Sequence, residues 1–256
     1  AERPVLRPVA RVVRPIVWHG IVPAAGRLEG PARFAWNRLT PGELGLEVTT
    51  LVAIAAVGSF GFLALALSVG PGEPLPFSDQ RAYEIADDLH TAWLIDAAKM
   101  VTYLGSLVVV APLVIVAAGI LVAWRRWAAS LALVAATAIL VVSVHVAKAV
   151  VDRPRPSGSL VETAGSAYPS AHAAYAIAWI AVAVVLWRFV PWLAGRAFLV
   201  TVAIAIALAV GVTRIYLHAQ WWSDVVGGAG LAATVYAVCG VVGMLVTHVR
   251  HNRVSA

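Results

Sequence analysis

The polar residues of this chain gather into short groups between long apolar runs, and the runs set the fold. A bilayer span needs about 20 mostly apolar residues. Six stretches qualify, near 48–69, 105–124, 127–147, 171–193, 197–217 and 225–247. The segment 78–104 has a different pattern. Asp79, Arg81, Glu84, Asp87, Asp88, Asp96 and Lys99 alternate there with Tyr83, Ile85, Leu89, Trp93, Leu94 and Ile95. That mixture predicts one or two amphipathic helices at the membrane interface. The pattern therefore predicts an all-α integral membrane fold of six transmembrane helices. A basic N-terminal arm over 1–46 precedes the membrane domain over 47–250, with the interfacial helical segment between its first and second spans, and a tail over 251–256 follows. No internal repeat and no second folded domain is visible.

Composition agrees. The chain is 61% hydrophobic and 12% charged, against about 25% charged for a soluble domain. Cys239 is the single cysteine and lies in an apolar run, which excludes a disulfide framework or a cysteine metal site. The net charge is +6, but the arginines are spread over segment ends without a basic, aromatic-studded face, so nucleic acid is not the expected partner. The first forty residues lack the apolar core and small-residue cleavage site of a secretory signal. Ala1 in place of Met fits a processed chain or one cut from a longer protein.

The arm carries Arg3, Arg7, Arg11, Arg14, Arg27, Arg33 and Arg38, while Pro4, Pro8 and Pro15 argue against one regular helix. It reads as an arm for an anionic lipid surface, or as a solvated tail or linker. With the arm cytoplasmic, Arg125, Arg126, Arg188, Arg196, Arg250 and Arg253 all fall on the inner side, as the positive-inside rule expects. Both termini are then cytoplasmic, in a multi-pass protein of a bacterial inner membrane. Lys148, Arg153, Arg155, His172, Arg214 and Asp224 share the opposite, extracytoplasmic face. Ionisable groups at a membrane border are costly and mark function.

Three clusters make up that face. Lys148 closes the third span, and Arg155-Pro156 follows after Asp152 and Pro154. The prolines hold the exit loop extended, so both cations can aim at one point. Lysine supplies a compact charge and arginine a planar fork suited to phosphate oxygens. Pro169-Ser170-Ala171-His172 opens the fourth span, where a serine N-cap and free N–H groups favour an anion. His172 would then be placed to protonate a leaving oxygen. Arg214 ends the fifth span and Asp224 begins the sixth. If 220–224 is helical, the carboxylate orients the side chain at 220. A histidine there would be an activated nitrogen nucleophile, but the residue is Gln220. Its amide can hydrogen-bond to phosphate and cannot form a phospho-enzyme.

Together these clusters resemble the type 2 phosphatidic acid phosphatase family, the membrane lipid phosphate phosphatase branch of the acid phosphatase and vanadium haloperoxidase superfamily. That family's pattern is Lys, six residues, Arg-Pro; then Pro-Ser-Gly-His; then Ser-Arg, five residues, His, three residues, Asp. Here the first motif is complete, Ala171 replaces the glycine, Thr213 replaces the serine, and Gln220 replaces the histidine. The resemblance covers roughly 48–247. It implies that Lys148, Arg155 and Arg214 hold the phosphate, assisted by Ser170 and the Ala171 backbone. His172 is then the general acid, Asp224 the orienting carboxylate and position 220 the nucleophile. It implies neither metal nor cofactor. The implied reaction is hydrolysis of a phosphate monoester or diphosphate on a membrane lipid, of the phosphatidic acid, phosphatidylglycerol phosphate or polyprenyl diphosphate class, through a phospho-histidine.

Gln220 has three readings. It is an inactivating substitution, introduced to keep size and hydrogen bonding while removing nucleophilicity. It is a natural loss that leaves a non-catalytic lipid-phosphate binder. Or His218 serves instead, which requires an irregular loop at 218–222, because a two-residue helical step turns a side chain by roughly 200°. A lipid phosphotransferase is a further alternative. A channel or transporter is disfavoured because the charges sit at one border and line no path. Gly227, Gly228 and Gly230 predict close helix packing in the sixth span. The topology has a direct check: in a chain with Cys239 replaced, Gly158→Cys and Gly195→Cys should label from opposite sides of the membrane, and labelling from one side would overturn it.

Overall fold

The computed structural model describes residues 45–254, with side chains described over 46–247. The expected basic arm therefore lies outside the described residues, save its last two positions, as does the end of the tail. Among the described residues there are eight α-helices and no strand. They are α1 (Gly45–Ser68), α2 (Phe77–Asp88), α3 (Ala92–Thr102), α4 (Leu107–Ala123), α5 (Trp127–Val151), α6 (Ala171–Leu186), α7 (Leu193–Tyr216) and α8 (Trp222–Val254). The protein is an integral membrane protein: α1, α5, α7 and α8 each supply a span by length and apolarity, and α6 does so together with the 3-10 turn Trp187–Phe189 that follows it.

The second span is assembled differently from the simple apolar run. α4 has only 17 residues. A short 3-10 turn, Tyr103–Gly105, joins it to α3 with a bend of 43°, and the two pass as one span only together. The segment between the first and second spans is helical as expected, and its second half, α3, forms with α4 a bent pair long and apolar enough to cross a membrane. α2 is tied in more closely than a surface helix: Asp79 and Ala86 are buried.

α6 is the central helix, packing against α4, α5 and α7. Its buried face is mostly alanine (Ala173, Ala174, Ala176, Ala178, Ala183), with Tyr175 and Val182. Small residues let neighbouring backbones approach where no hydrophobic force separates helix from lipid. The core is completed by Val110, Val114 and Leu121 of α4, Leu133, Leu140 and Val144 of α5, and Ala232 of α8. Connectivity then brings the 152–170 loop, the 217–221 loop and α2 to one end of the bundle. A backbone bond links the two loops there, from Leu160 N–H to the Leu217 carbonyl, and another, from Ser170 N–H to the Asp224 carbonyl, ties the first loop to the start of α8.

Close packing in the last span comes out as the glycines predict. A Cβ on Gly228 would collide with the Ser170 backbone, and one on Gly230 would lie 2.8 Å from the Gly58 carbonyl oxygen of α1. Gly228 thus fixes how near α8 comes to the turn that opens α6. Gly228→Ala should destabilise the protein by about 1–3 kcal/mol through overpacking, read as a lower unfolding temperature in detergent. Gly119→Ala, which meets nothing within 4 Å, should change little. Equal effects of the two would contradict this account.

Candidate active site

Lys148 occupies the last turn of α5. Asp152 then adopts a left-handed conformation (φ 44°) and ends the helix, so the following residues run back over the bundle end. Lys148 Nζ donates to the Ser166 carbonyl at 2.5 Å and to the Ala167 carbonyl at 3.3 Å. Arg155 reaches the same strip of backbone. Its Nη2 donates to Ala164 O (2.9 Å) and Ser166 O (3.3 Å), its Nε to Gly165 O (2.9 Å), and its Nη1 to Ala219 O (2.7 Å). The two cations therefore share one acceptor, which is the convergence their spacing suggests. Carbonyl dipoles solvate these charges without neutralising them. Burial holds the Arg155 guanidinium below its usual value, and Asp224 offsets part of that.

The second cluster forms the start of α6. Ser170 is fully buried and its Oγ accepts from the Ala173 N–H at 3.4 Å, as an N-cap does. Ala171 begins the helix without a positive φ, so alanine in place of glycine carries no backbone strain. His172 is half-buried in the first turn, within electrostatic reach of Arg214, Arg155 and Lys148. The third cation, Arg214, ends α7 and is buried. Its Nη1 stands 3.5 Å from Thr102 Oγ1, and its Nε has no partner. A buried unpaired guanidinium N–H is costly, and a bound anion would satisfy it.

Gln220 and Asp224 are arranged otherwise than helical spacing suggests. Residues 217–221 form a turn, and α8 begins only at Trp222, so 220 and 224 do not share a helix face. Asp224 Oδ1 accepts from Arg153 Nη1 at 2.6 Å, and Oδ2 accepts from the Trp221 N–H at 2.8 Å. Gln220 turns its Nε2 to the Ala219 carbonyl (2.8 Å), and its Oε1 is buried without a partner. The backbone still delivers 220 to the cations, since the Ala219 and Gln220 N–H groups both donate to the Arg214 carbonyl.

His218 lies in the irregular loop that its candidacy as nucleophile requires, with φ 51°. Its ring goes elsewhere. It stacks on Tyr83, with centroids 3.8 Å apart, and lies 4.7 Å from His90. Burial lowers its pKa, and the charges that act on it are those of His90 and Asp87 rather than the three cations.

Sequence reasoning missed the pair that organises this end of the molecule. Arg153, 4% exposed, bridges two fully buried carboxylates: Nη2 donates to Asp79 at 2.6 Å and Nη1 to Asp224 at 2.6 Å. Ser223 completes the network, its N–H and Oγ donating to Asp79 at 2.8 and 2.6 Å. The only sequence signal was an aspartate in α2 and a second arginine beside Arg155. The grouped cations are Lys148, Arg153, Arg155 and Arg214, against the carboxylates Asp79 and Asp224. That leaves a formal excess of two positive charges, the complement of a phosphate dianion.

Residues 127–248 match the family described as the PAP2 superfamily. Two solved structures resemble the fold. One is the crystal structure of the first transmembrane PAP2 type phosphatidylglycerolphosphate phosphatase from Bacillus subtilis. It has a TM-score of 0.66 and 23% identity, covering 73% of this chain and 94% of that one. The other is LpxE from Aquifex aeolicus, with a TM-score of 0.49 and 23% identity over 66% of this chain and 99% of that one. No curated protein is significantly similar in sequence.

Removing Arg153 would leave two buried carboxylates without their cation. Arg153→Leu should therefore cost about 3–5 kcal/mol of stability, against a clearly smaller loss for Arg155→Leu, whose partners are carbonyl groups. Unfolding in detergent measures both, and equal losses would refute the bridging role.

Proposed function

From residues 127–248, which carry the PAP2 superfamily match, we propose that this protein is a lipid phosphate phosphatase domain whose nucleophile position is occupied by Gln220. The observation that carries the reading is the excess of two positive charges at the bundle end, with an unpartnered Arg214 Nε among them. Such a site suits a phosphomonoester dianion or a diphosphate on a membrane lipid. The lipid's tail would stay among the spans.

In the proposed reaction Lys148, Arg155 and Arg214 hold the phosphoryl oxygens and stabilise charge in the transition state, with the start of α6 at Ser170 and Ala171 assisting. A histidine at 220 would attack phosphorus in line. The bond from phosphorus to the lipid oxygen breaks as the P–N bond forms, and His172 gives its proton to that oxygen. Water then attacks the phospho-histidine, returning a proton to His172 and releasing inorganic phosphate. Arg153 and Asp224 fix the loop that carries position 220. The Gln220 amide has no lone pair nucleophilic enough for the first step, so this chain is expected to bind and not to turn over. The site would face the extracytoplasmic side, with cytoplasmic termini in a bacterial inner membrane.

A second reading, a lipid-phosphate binding protein, is favoured by one feature. Each Asp224 carboxylate oxygen already accepts a bond, from Arg153 and from the Trp221 N–H, and the Gln220 amide N–H donates to Ala219 rather than to Asp224, so the carboxylate does not orient the side chain at 220 here. Phosphate release from a panel of lipid phosphates and diphosphates separates the readings. Gln220→His should release phosphate while the unsubstituted chain stays at background. Activity of the unsubstituted chain would remove 220 as nucleophile. Retained lipid-phosphate binding with no release by either form would establish the binder, and release only with an added acceptor lipid would indicate phosphotransfer.

A further inference from the structure

Beside the cation cluster, at the junction of α2 and α3, lies a group of side chains that the phosphatase reading does not use. Asp87 ends α2, His90 follows in the turn before α3, and His218 comes from the loop after α7. One donor atom of each lies within 4.8 Å of the others. We propose that Asp87, His90 and His218 bind a divalent transition-metal ion, zinc in the first instance, which clasps the α2–α3 junction to the loop carrying residue 220.

The donor set is two imidazoles and one carboxylate, a combination zinc uses with water in a fourth position. The tautomers are suited to it. His90 Nε2 lies 2.7 Å from the Tyr216 carbonyl, a contact that requires its proton there. Nδ1 stands 3.5 Å from Asp87 Oδ1, and in the neutral ring it carries the lone pair that a metal would take. A ligand histidine whose other nitrogen donates to a backbone carbonyl is the usual outer-sphere arrangement. His218 is 3% exposed, and its Nε2 is buried with no hydrogen-bond partner. A buried imidazole nitrogen in that state is costly, and a metal bond would satisfy it.

Closure needs little movement. Donors about 2.1 Å from a tetrahedral zinc stand about 3.4 Å apart, and the Asp87–His90 pair is already at that spacing. The Asp87 side chain is 66% exposed, so it can rotate towards His218 without repacking the core. The rings are meanwhile fixed: His218 by stacking on Tyr83, and His90 by its edge contact with Tyr216 at 4.9 Å. Tyr83 in turn bonds the Ser157 carbonyl through its hydroxyl (3.2 Å). The ion would therefore cross-link α2, the 217–221 loop and the loop after α5. This role is separate from phosphoryl chemistry, for which the family resemblance implies no metal, and it does not depend on Gln220.

The test uses the full chain, purified in detergent without a histidine tag and stripped with a chelator. Zn(II) is followed by calorimetry and Co(II) by its visible absorption. One ion per chain is expected, with the intense Co(II) bands of a four-coordinate site and a higher unfolding temperature in zinc. Asp87→Asn and His90→Gln should each weaken binding by about tenfold or more. Asp87→Asn alters an exposed side chain, so it decides the matter even if His90→Gln does not fold. Absence of binding below millimolar metal would overturn the proposal. Equal binding by all three chains would overturn it too, by assigning the ion to histidines elsewhere, such as His19, His248 or His251.

Discussion

Arg153 between Asp79 and Asp224 is the contact on which this end of the molecule depends. Each carboxylate is fully buried, and a buried charge persists only when paired and hydrogen-bonded. A single planar guanidinium, with its rigid set of donors, can serve two carboxylates at once. Because the partners belong to α2, the loop after α5 and the start of α8, one side chain joins three segments that are distant in sequence. Ser223 strengthens the arrangement by donating twice to Asp79.

The cation cluster inherits its shape from that junction. Ser166 Oγ accepts from the Arg153 N–H at 3.0 Å, and the Ala167 N–H donates to the Arg153 carbonyl at 2.8 Å. The 164–167 strip is thereby held where its carbonyls receive Lys148 and Arg155. On the other side, Asp224 accepts the Trp221 N–H while its own carbonyl receives the Ser170 N–H. The start of α6 is thus set against the start of α8, and Gly228 lets the two backbones touch. Cations, helix start and position 220 are brought together by backbone bonds rather than by contacts among the cationic side chains themselves. Such a frame can hold an anion site open, with the Arg214 Nε–H an unpartnered donor.

His172 and His218 show how burial divides two similar residues. Three cations act on His172, whose position opens α6. His218 sits two residues from Gln220, yet a left-handed backbone turns its ring into a stack with Tyr83 and His90. Proximity in sequence made His218 a candidate to stand in for position 220. Loop conformation separates them.

Sequence alone determined the all-helical membrane class and most of the spans, and it marked three of the four grouped cations as candidates. A backbone in a bilayer must satisfy its own hydrogen bonds as a helix or a closed barrel, and continuous apolar runs of about 20 residues select the helix. The charges at their ends are local facts, which is why Lys148, Arg155, His172, Arg214, Asp224 and the Ser170 cap were legible. The division of labour between the two arginines after α5 was not. Arg153 and Arg155 are near-equivalent in sequence, and only packing buries one against Asp79 and Asp224 while turning the other to carbonyls. The helix face expected for 220–224 failed for the same reason, because the chain must turn sharply between α7 and α8 before it can be helical. Even the second span needed tertiary structure, as α4 is short and α3 completes it across a bend. Periodicity reports which residues prefer lipid or water. Which buried charge meets which partner depends on long-range pairing that no local pattern encodes.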